Sequence, residues 1–391
     1  MNLTNIQTAM QEENMDCWVV YDFQRMNPIM AQFLRDRLMF TRRVFLIIPS
    51  EGEPTILGSK IDNDLLQTTP FGLVFYTSWR EMENQLKQLL TDYQVIGLDY
   101  SPNGMLPTAS RVDAGTVEMI KNLGKDIVSS ANVFQAGMAV WEPAALEAHL
   151  EDCQIVGDIK DEAFQFLADQ LRENKSVTEY DVQSFIMRRF EEANLFTPHA
   201  PIVGVNEYSS DPHYVPNAKK HAPIKKGDWI LIDLFAKRPG YEFIFADITW
   251  VAYAGVTPSA KQQEVFKVVT GARDVAVAYL QSCTDQNIEA EGWQVDDITR
   301  NHITEAGYGD YFFHRTGHSL GPGDHAHGMG VNIDNLETHD IRKLKPGIGF
   351  SIEPGVYLPE FGVRAEINVY MDQSGPRVTT PIQYEIICLE V

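Results

Sequence analysis

The chain has 391 residues, with 54 acidic and 32 basic side chains and a formal net charge of −22. Hydrophobic residues make up 44% and aromatics 10%, which is enough for a packed core and excludes wholesale disorder. A chain this negative is repelled by phosphate backbones and anionic headgroups, so neither nucleic acid nor membrane is expected as a partner.

The stretch from Met1 to Cys17 is polar and holds no apolar segment of signal-peptide length. The longest apolar runs, such as Val44 to Pro49, are far shorter than the roughly 20 residues that span a bilayer. Cys17, Cys153, Cys283 and Cys388 are widely spaced and form no C-x-x-C pair, so reduced thiols in a cytoplasmic protein are expected.

In chain order, β-rich runs at Cys17 to Tyr21, Arg43 to Pro49, Pro54 to Leu57 and Leu73 to Ser78 predict strands. Glu81 to Leu90 has helical periodicity, Val95 to Leu98 reads as a strand and Gly115 to Leu123 as a helix. These elements predict an N-terminal α/β domain over residues 1–140, with Gly137 and Pro143 near its boundary.

Residues 141–391 then form a second domain. Pro143 suits a first helical turn, and apolar spacing continues the helix to about Arg172. Thr178 and Asp181 form a capping-box pattern that opens another helix through Phe190. Trp229 to Phe235 and Phe243 to Tyr253 read as a hairpin with a long loop, and helices follow at Ser259 to Leu280 and Val295 to Ala306. Strands at Ile348 to Glu353, Val363 to Tyr370 and Gln383 to Leu389 close the chain. The pattern is α+β, with helices outside an antiparallel-rich sheet.

Four acids interrupt these apolar strands: Asp233, Asp247, Glu353 and Glu366. Carboxylates projecting from apolar strands repel each other and lose hydration, so something must neutralise them. Between the strands, Phe312 to Gly328 carries His314, His318, His325 and His327, with Gly317, Gly321 and Gly323 allowing close backbone approach. One imidazole with four carboxylates is a hard, oxygen-rich donor set. It suits two divalent cations, Mn²⁺ first, with Co²⁺ or Zn²⁺ by availability.

In these residues the second domain resembles the pita-bread metallopeptidases, which include methionine aminopeptidase, aminopeptidase P and prolidase. The resemblance implies that Asp233, Asp247, His318, Glu353 and Glu366 ligate two metals. Asp247 and Glu366 would bridge the pair, Asp233 would chelate one ion, and His318 and Glu353 would hold the other. It also implies that Glu353 handles the proton of the attacking water, that His213 and His325 hold or polarise the substrate, that His314 supports the site as the histidine opening the motif, and that Arg364 braces the carboxylates. The N-terminal domain resembles the lid-like, dimer-forming domain shared by prolidase, aminopeptidase P and creatinase. The implied activity is hydrolysis of Xaa-Pro bonds in a proline-containing di- or oligopeptide by a homodimer. Xaa-Pro dipeptidase is favoured, with Xaa-Pro aminopeptidase as the alternative. A creatinase-like amidinohydrolase or a non-catalytic binding protein of the same fold is disfavoured, because all five ligand positions are kept.

Some positions depart from the family pattern. The loop between Asp233 and Asp247 is longer than usual, and Ser319 and Pro322-Gly323 alter the histidine motif. His327 is extra and reads as a surface residue, and Tyr384 reads as a filler of core space. Arg238 and Arg315 are the basic groups that could receive a dipeptide's free carboxylate.

Overall fold

The computed structural model describes residues 2–34 and 40–391. The chain divides into two compact units, Met1–Met138 and Ala139–Val391. Among the described residues no helix is long and apolar enough to cross a membrane. The four cysteines are free thiols, three of them buried.

The first unit is built on a six-stranded sheet. Its strands run, across the sheet, Gly72–Tyr76, Thr55–Ser59, Arg43–Pro49, Cys17–Phe23, Val95–Leu98 and Asp126–Ser129. Cys17–Phe23 pairs antiparallel with Arg43–Pro49 and parallel with Val95–Leu98, so the sheet is mixed. Helix Trp79–Leu89 is capped by Ser78, whose side chain accepts from the Glu81 N–H, and it buries Met82 and Leu86. Helix Leu3–Glu12, which is not among the elements expected from the sequence, is capped by the Asn2 side chain accepting from the Asn5 N–H and buries Ile6, Ala9 and Met10. Asp99, directly after the Val95–Leu98 strand, is fully buried. It accepts from Trp18 Nε1 at 2.9 Å, Asn27 Nδ2 at 2.7 Å and Ser130 Oγ at 2.7 Å.

In the second unit, helix Pro143–Arg172 begins with its proline in the first turn, where no N–H partner is needed. Helix Glu179–Glu192 opens with both hydrogen bonds of the Thr178/Asp181 capping box. One four-stranded sheet runs Ile387–Cys388, Ala246–Tyr253, Trp229–Ala236 and Ile202–Val205. A second runs Ser319–Leu320, Gly349–Ile352, Ile367–Asp372 and Gly375–Val378. Val156, Ala163 and Leu167 of the long helix pack on Ile230, Ile232 and Ile248. Trp229, Leu231 and Val251 pack with Val265, Phe266 and Val269 of helix Ala260–Asp285.

Three predicted strands are altered. The run Phe243 to Tyr253 begins only at Ala246. The run Val363 to Tyr370 splits into Gly362–Arg364 and Ile367–Asp372. At the break the Ala365 N–H donates to Pro354 O and the Glu366 N–H to Thr249 O, so the backbone changes partners there. The final strand shortens to Ile387–Cys388, because the Gln383 side chain itself pairs with Val251, accepting from its N–H and donating to its carbonyl.

Candidate metal centre

The hairpin sets the first two acids by register. Asp233 sits directly opposite Thr249 in the antiparallel pair, and Asp247 lies two residues from Thr249 on the same strand. Alternation in a strand therefore turns Asp233, Thr249 and Asp247 to one face. The Asp247 backbone is locked by Asn368, which accepts from its N–H at 2.9 Å and donates to its carbonyl at 2.8 Å.

His318 enters from the histidine-rich segment. Gly317 permits this, since a Cβ there would lie 2.0 Å from Ser351 O. The His318 N–H donates to Ser351 Oγ, and Ser351 N–H donates back to His318 O. His318 Nδ1 lies 3.1 Å from Ser319 O, which assigns the proton to Nδ1 and turns Nε2 toward the acids. Nε2 is 3.6 Å from Asp247 Oδ2 and 3.4 Å from Glu353 Oε1. Ser351 Oγ donates to Glu353 Oε1 at 3.0 Å. Ligand atoms of Asp247, His318 and Glu366 lie within 4.8 Å of one another.

Arg364 reaches into the cluster and is buried. It donates to Asp233 Oδ2 through NH2, to Thr249 Oγ1 at 3.0 Å and to Tyr357 OH at 3.0 Å. Thr249 Oγ1 in turn donates to Glu366 Oε2 at 2.8 Å. His314 stands behind this group, with Nε2 2.8 Å from Tyr357 OH and Nδ1 on Arg315 O. The five proposed ligands and Arg364 thus belong to one connected network.

The electrostatics test whether cations fit. Burial raises Asp233 to about 7, with repulsion from Asp247 and Glu353 adding to it against the Arg364 charge. Burial also raises Asp247, and burial with repulsion from Asp247, Glu353 and Asp233 drives Glu366 well above its ordinary value. Burial opposes ionisation of Glu353 too, but the charges of His318, Arg364 and His314 outweigh it and hold its carboxyl below the ordinary value. Arg364 and a protonated His318 bring two positive charges against four carboxylates. Three acids held where their own charge is unfavourable, beside an ionised Glu353 and one imidazole, match a site for hard divalent cations.

The remaining histidines separate. His327 is exposed, yet its ring centroid lies 4.0 Å from that of His318, and its Nδ1 is 3.3 Å from the Arg315 guanidinium. The charge on His318, burial and Arg315 push His327 well below the usual histidine range. His325 and His213 are both exposed on loops. The family resemblance points to His325, whereas the loop geometry lays His327 against the cluster. Tyr384 is 72% exposed, so it fills no core space.

The two basic candidates also part company. Arg238 is consumed by Asp152, which it meets through its backbone N–H and its guanidinium, and by Glu151 at 2.7 Å. The Arg315 guanidinium meets Glu337 at 3.4 Å besides His327, its backbone N–H donates to the same Glu337 at 3.2 Å, and it flanks the cluster.

Similarity to known proteins points to one family. The sequence signature of Metallopeptidase family M24 matches residues 151–373. The chain is 26% identical over 340 residues to an uncharacterised peptidase of Staphylococcus saprophyticus, covering 85% of this chain and 87% of that one. It is 33% identical over 187 residues to the Xaa-Pro dipeptidase of Pyrococcus furiosus, which is 48% of each chain. Among solved structures it is similar to dipeptidase PepE from Mycobacterium ulcerans, with a TM-score of 0.67 at 20% identity over 99% and 96% of the two chains.

Proposed function

The chain belongs to metallopeptidase family M24 and has its pita-bread fold, and from that premise we propose that it hydrolyses Xaa-Pro bonds, as an Xaa-Pro dipeptidase. The observation that carries the reading is the convergence of Asp247, His318 and Glu366 within 4.8 Å, braced by the Arg364–Asp233 pair. The presence of Arg315 beside His327 supports a dipeptide substrate, since a dipeptide presents a free carboxylate near the scissile bond.

Asp233, Asp247, His318, Glu353 and Glu366 would hold two divalent cations, Mn²⁺ by the oxygen-rich donor set. When bound, such cations polarise the scissile carbonyl and acidify the attacking water. The chain's own groups do the rest. Glu353 Oε1 is held by Ser351 Oγ, and the ionised carboxylate takes up the water proton and delivers it toward the leaving imino nitrogen. Arg364 fixes Asp233, and Thr249 fixes Glu366, so neither carboxylate must reorganise during turnover. His314 holds Tyr357, which in turn orients Arg364. His327 lies against the cluster, and His325 and His213, on exposed loops, would hold or polarise the substrate as the family resemblance implies. Residues 1–140 act as a lid in a homodimer.

The test is to incubate manganese-loaded protein with Ala-Pro and with a longer Xaa-Pro-Pro peptide. Release of proline from the dipeptide alone establishes the dipeptidase. Cleavage of the longer peptide would instead make it an Xaa-Pro aminopeptidase, and cleavage of neither would refute the proposal. Chelator-treated protein that keeps full activity would overturn the metal assignment.

A further inference from the structure

The long hairpin loop, residues 237–245, carries a lysine whose position the chemistry above does not use. Lys237 is 1% exposed. Its ammonium has three N–H donors, and each meets a backbone carbonyl: Gly240 O at 2.7 Å, Phe243 O at 3.1 Å and Gly323 O at 2.5 Å. Two of these carbonyls belong to the hairpin loop itself. The third belongs to the segment that carries His325 and His327. The contact is reciprocated, because the Gly323 N–H donates to Tyr241 O at 2.9 Å. Gly323 holds φ at +153°, a conformation open to glycine and strained for other residues.

The far end of the same segment is tied separately. The Gly328 N–H donates to Ser319 O at 2.6 Å, and the Gly330 N–H to Ser319 Oγ at 2.9 Å. The excursion 321–328 is therefore closed at its base and clipped at its tip, and His327 lies four residues from the clip. A buried ammonium that lost these carbonyls would be left unsolvated, so the clip is held by more than ordinary loop contacts.

We propose that Lys237 is a positioning residue, an ammonium clip by which the hairpin loop holds the 321–328 segment and hence its histidines over the substrate. The substrate role of those histidines rests on the function proposed above. The clip itself does not.

The test is hydrogen–deuterium exchange by mass spectrometry on the full chain, comparing the parent with Lys237→Met, together with steady-state kinetics on Ala-Pro. Amides of 321–328 should exchange about tenfold faster in the variant, while the 246–253 strand keeps its protection. KM for Ala-Pro should rise about tenfold with kcat little changed, because positioning and not the metal ligands is lost. Lys237→Gln, which keeps two N–H donors, should fall between parent and Met, and it decides the matter by the same readouts where the Met variant does not fold. Unchanged exchange in 321–328 would overturn the clip. So would loss of protection spread evenly over 229–253, which marks a merely structural residue. Absence of any Xaa-Pro cleavage by the parent would instead sink the functional reading, leaving the exchange result to judge the clip alone.

Discussion

Replacing Glu366 by glutamine removes one negative charge and little else. Glu366 Oε2 accepts from Thr249 Oγ1 at 2.8 Å, a role an amide oxygen can keep. Its ligand atoms lie within 4.8 Å of those of Asp247 and His318. Two like charges at that separation repel by about 3 kcal/mol at an effective dielectric near 20. Holding the carboxyl protonated instead costs about 3 kcal/mol at pH 7, from its ordinary value of 4.5. The two routes agree, and Arg364 returns part of either cost. Metal-free Glu366→Gln should therefore be more stable than the parent by about 1–3 kcal/mol, or roughly 2–4 °C in Tm per kcal/mol for a unit of this size. Manganese should reverse the advantage. With one charged ligand gone, the Mn²⁺-induced rise in Tm should shrink, and the variant should retain less than the parent's metal after dialysis. Thermal unfolding by circular dichroism at pH 7, with EDTA and then with Mn²⁺, measures both effects. A metal-free variant less stable than the parent, with an undiminished response to Mn²⁺, would refute the argument that these acids are held against their own charge for a cation.

Two further outcomes are expected. Burial raises Asp99 to about 6, against the hydrogen bonds from Asn27, Ser130 and Trp18. A carboxyl raised in the folded state contributes stability that is complete below about pH 4 and lost as pH rises through 6, here about 3 kcal/mol at most. Urea midpoints of the first unit at pH 4.5 and 7.5 should thus differ more in the parent than in Asp99→Asn, and equal differences would count against the assignment. Arg315→Met should raise KM for Ala-Pro about tenfold or more with kcat nearly kept, the loss of one charge-assisted hydrogen bond. A kcat/KM within twofold of the parent would remove Arg315 from carboxylate recognition.

Much of the fold is legible in the sequence where one local signal dominates. Pro143 and the apolar spacing after it give the helix Pro143–Arg172, and Thr178 with Asp181 gives the next helix start. The acids stand out because the strands around them are otherwise apolar, as in Trp229–Ala236. What escapes the sequence depends on tertiary partners. The break at Ala365 and Glu366 arises because their N–H groups bond to Pro354 and Thr249, which no local pattern announces. The choice between His325 and His327 depends on the path of an irregular loop through Pro322 and Gly323, where side-chain direction has no fixed period. Arg238 and Arg315 look alike as basic candidates, but only the folded chain puts Asp152 against one of them.

The pairing of Asp233 with Thr249 has an evolutionary consequence. Both strands of that hairpin are buried along most of their length, so their register is fixed by apolar faces and not by the turn that joins them. A one-residue slip of either strand would turn Asp233 or Asp247 away from the site, whereas extra residues at the turn move neither. Selection can therefore lengthen or rewrite the loop beyond the Lys237 clip without disturbing the ligands. The loop is a place where a peptidase of this kind can change the peptides it accepts while its reactive centre stays constant.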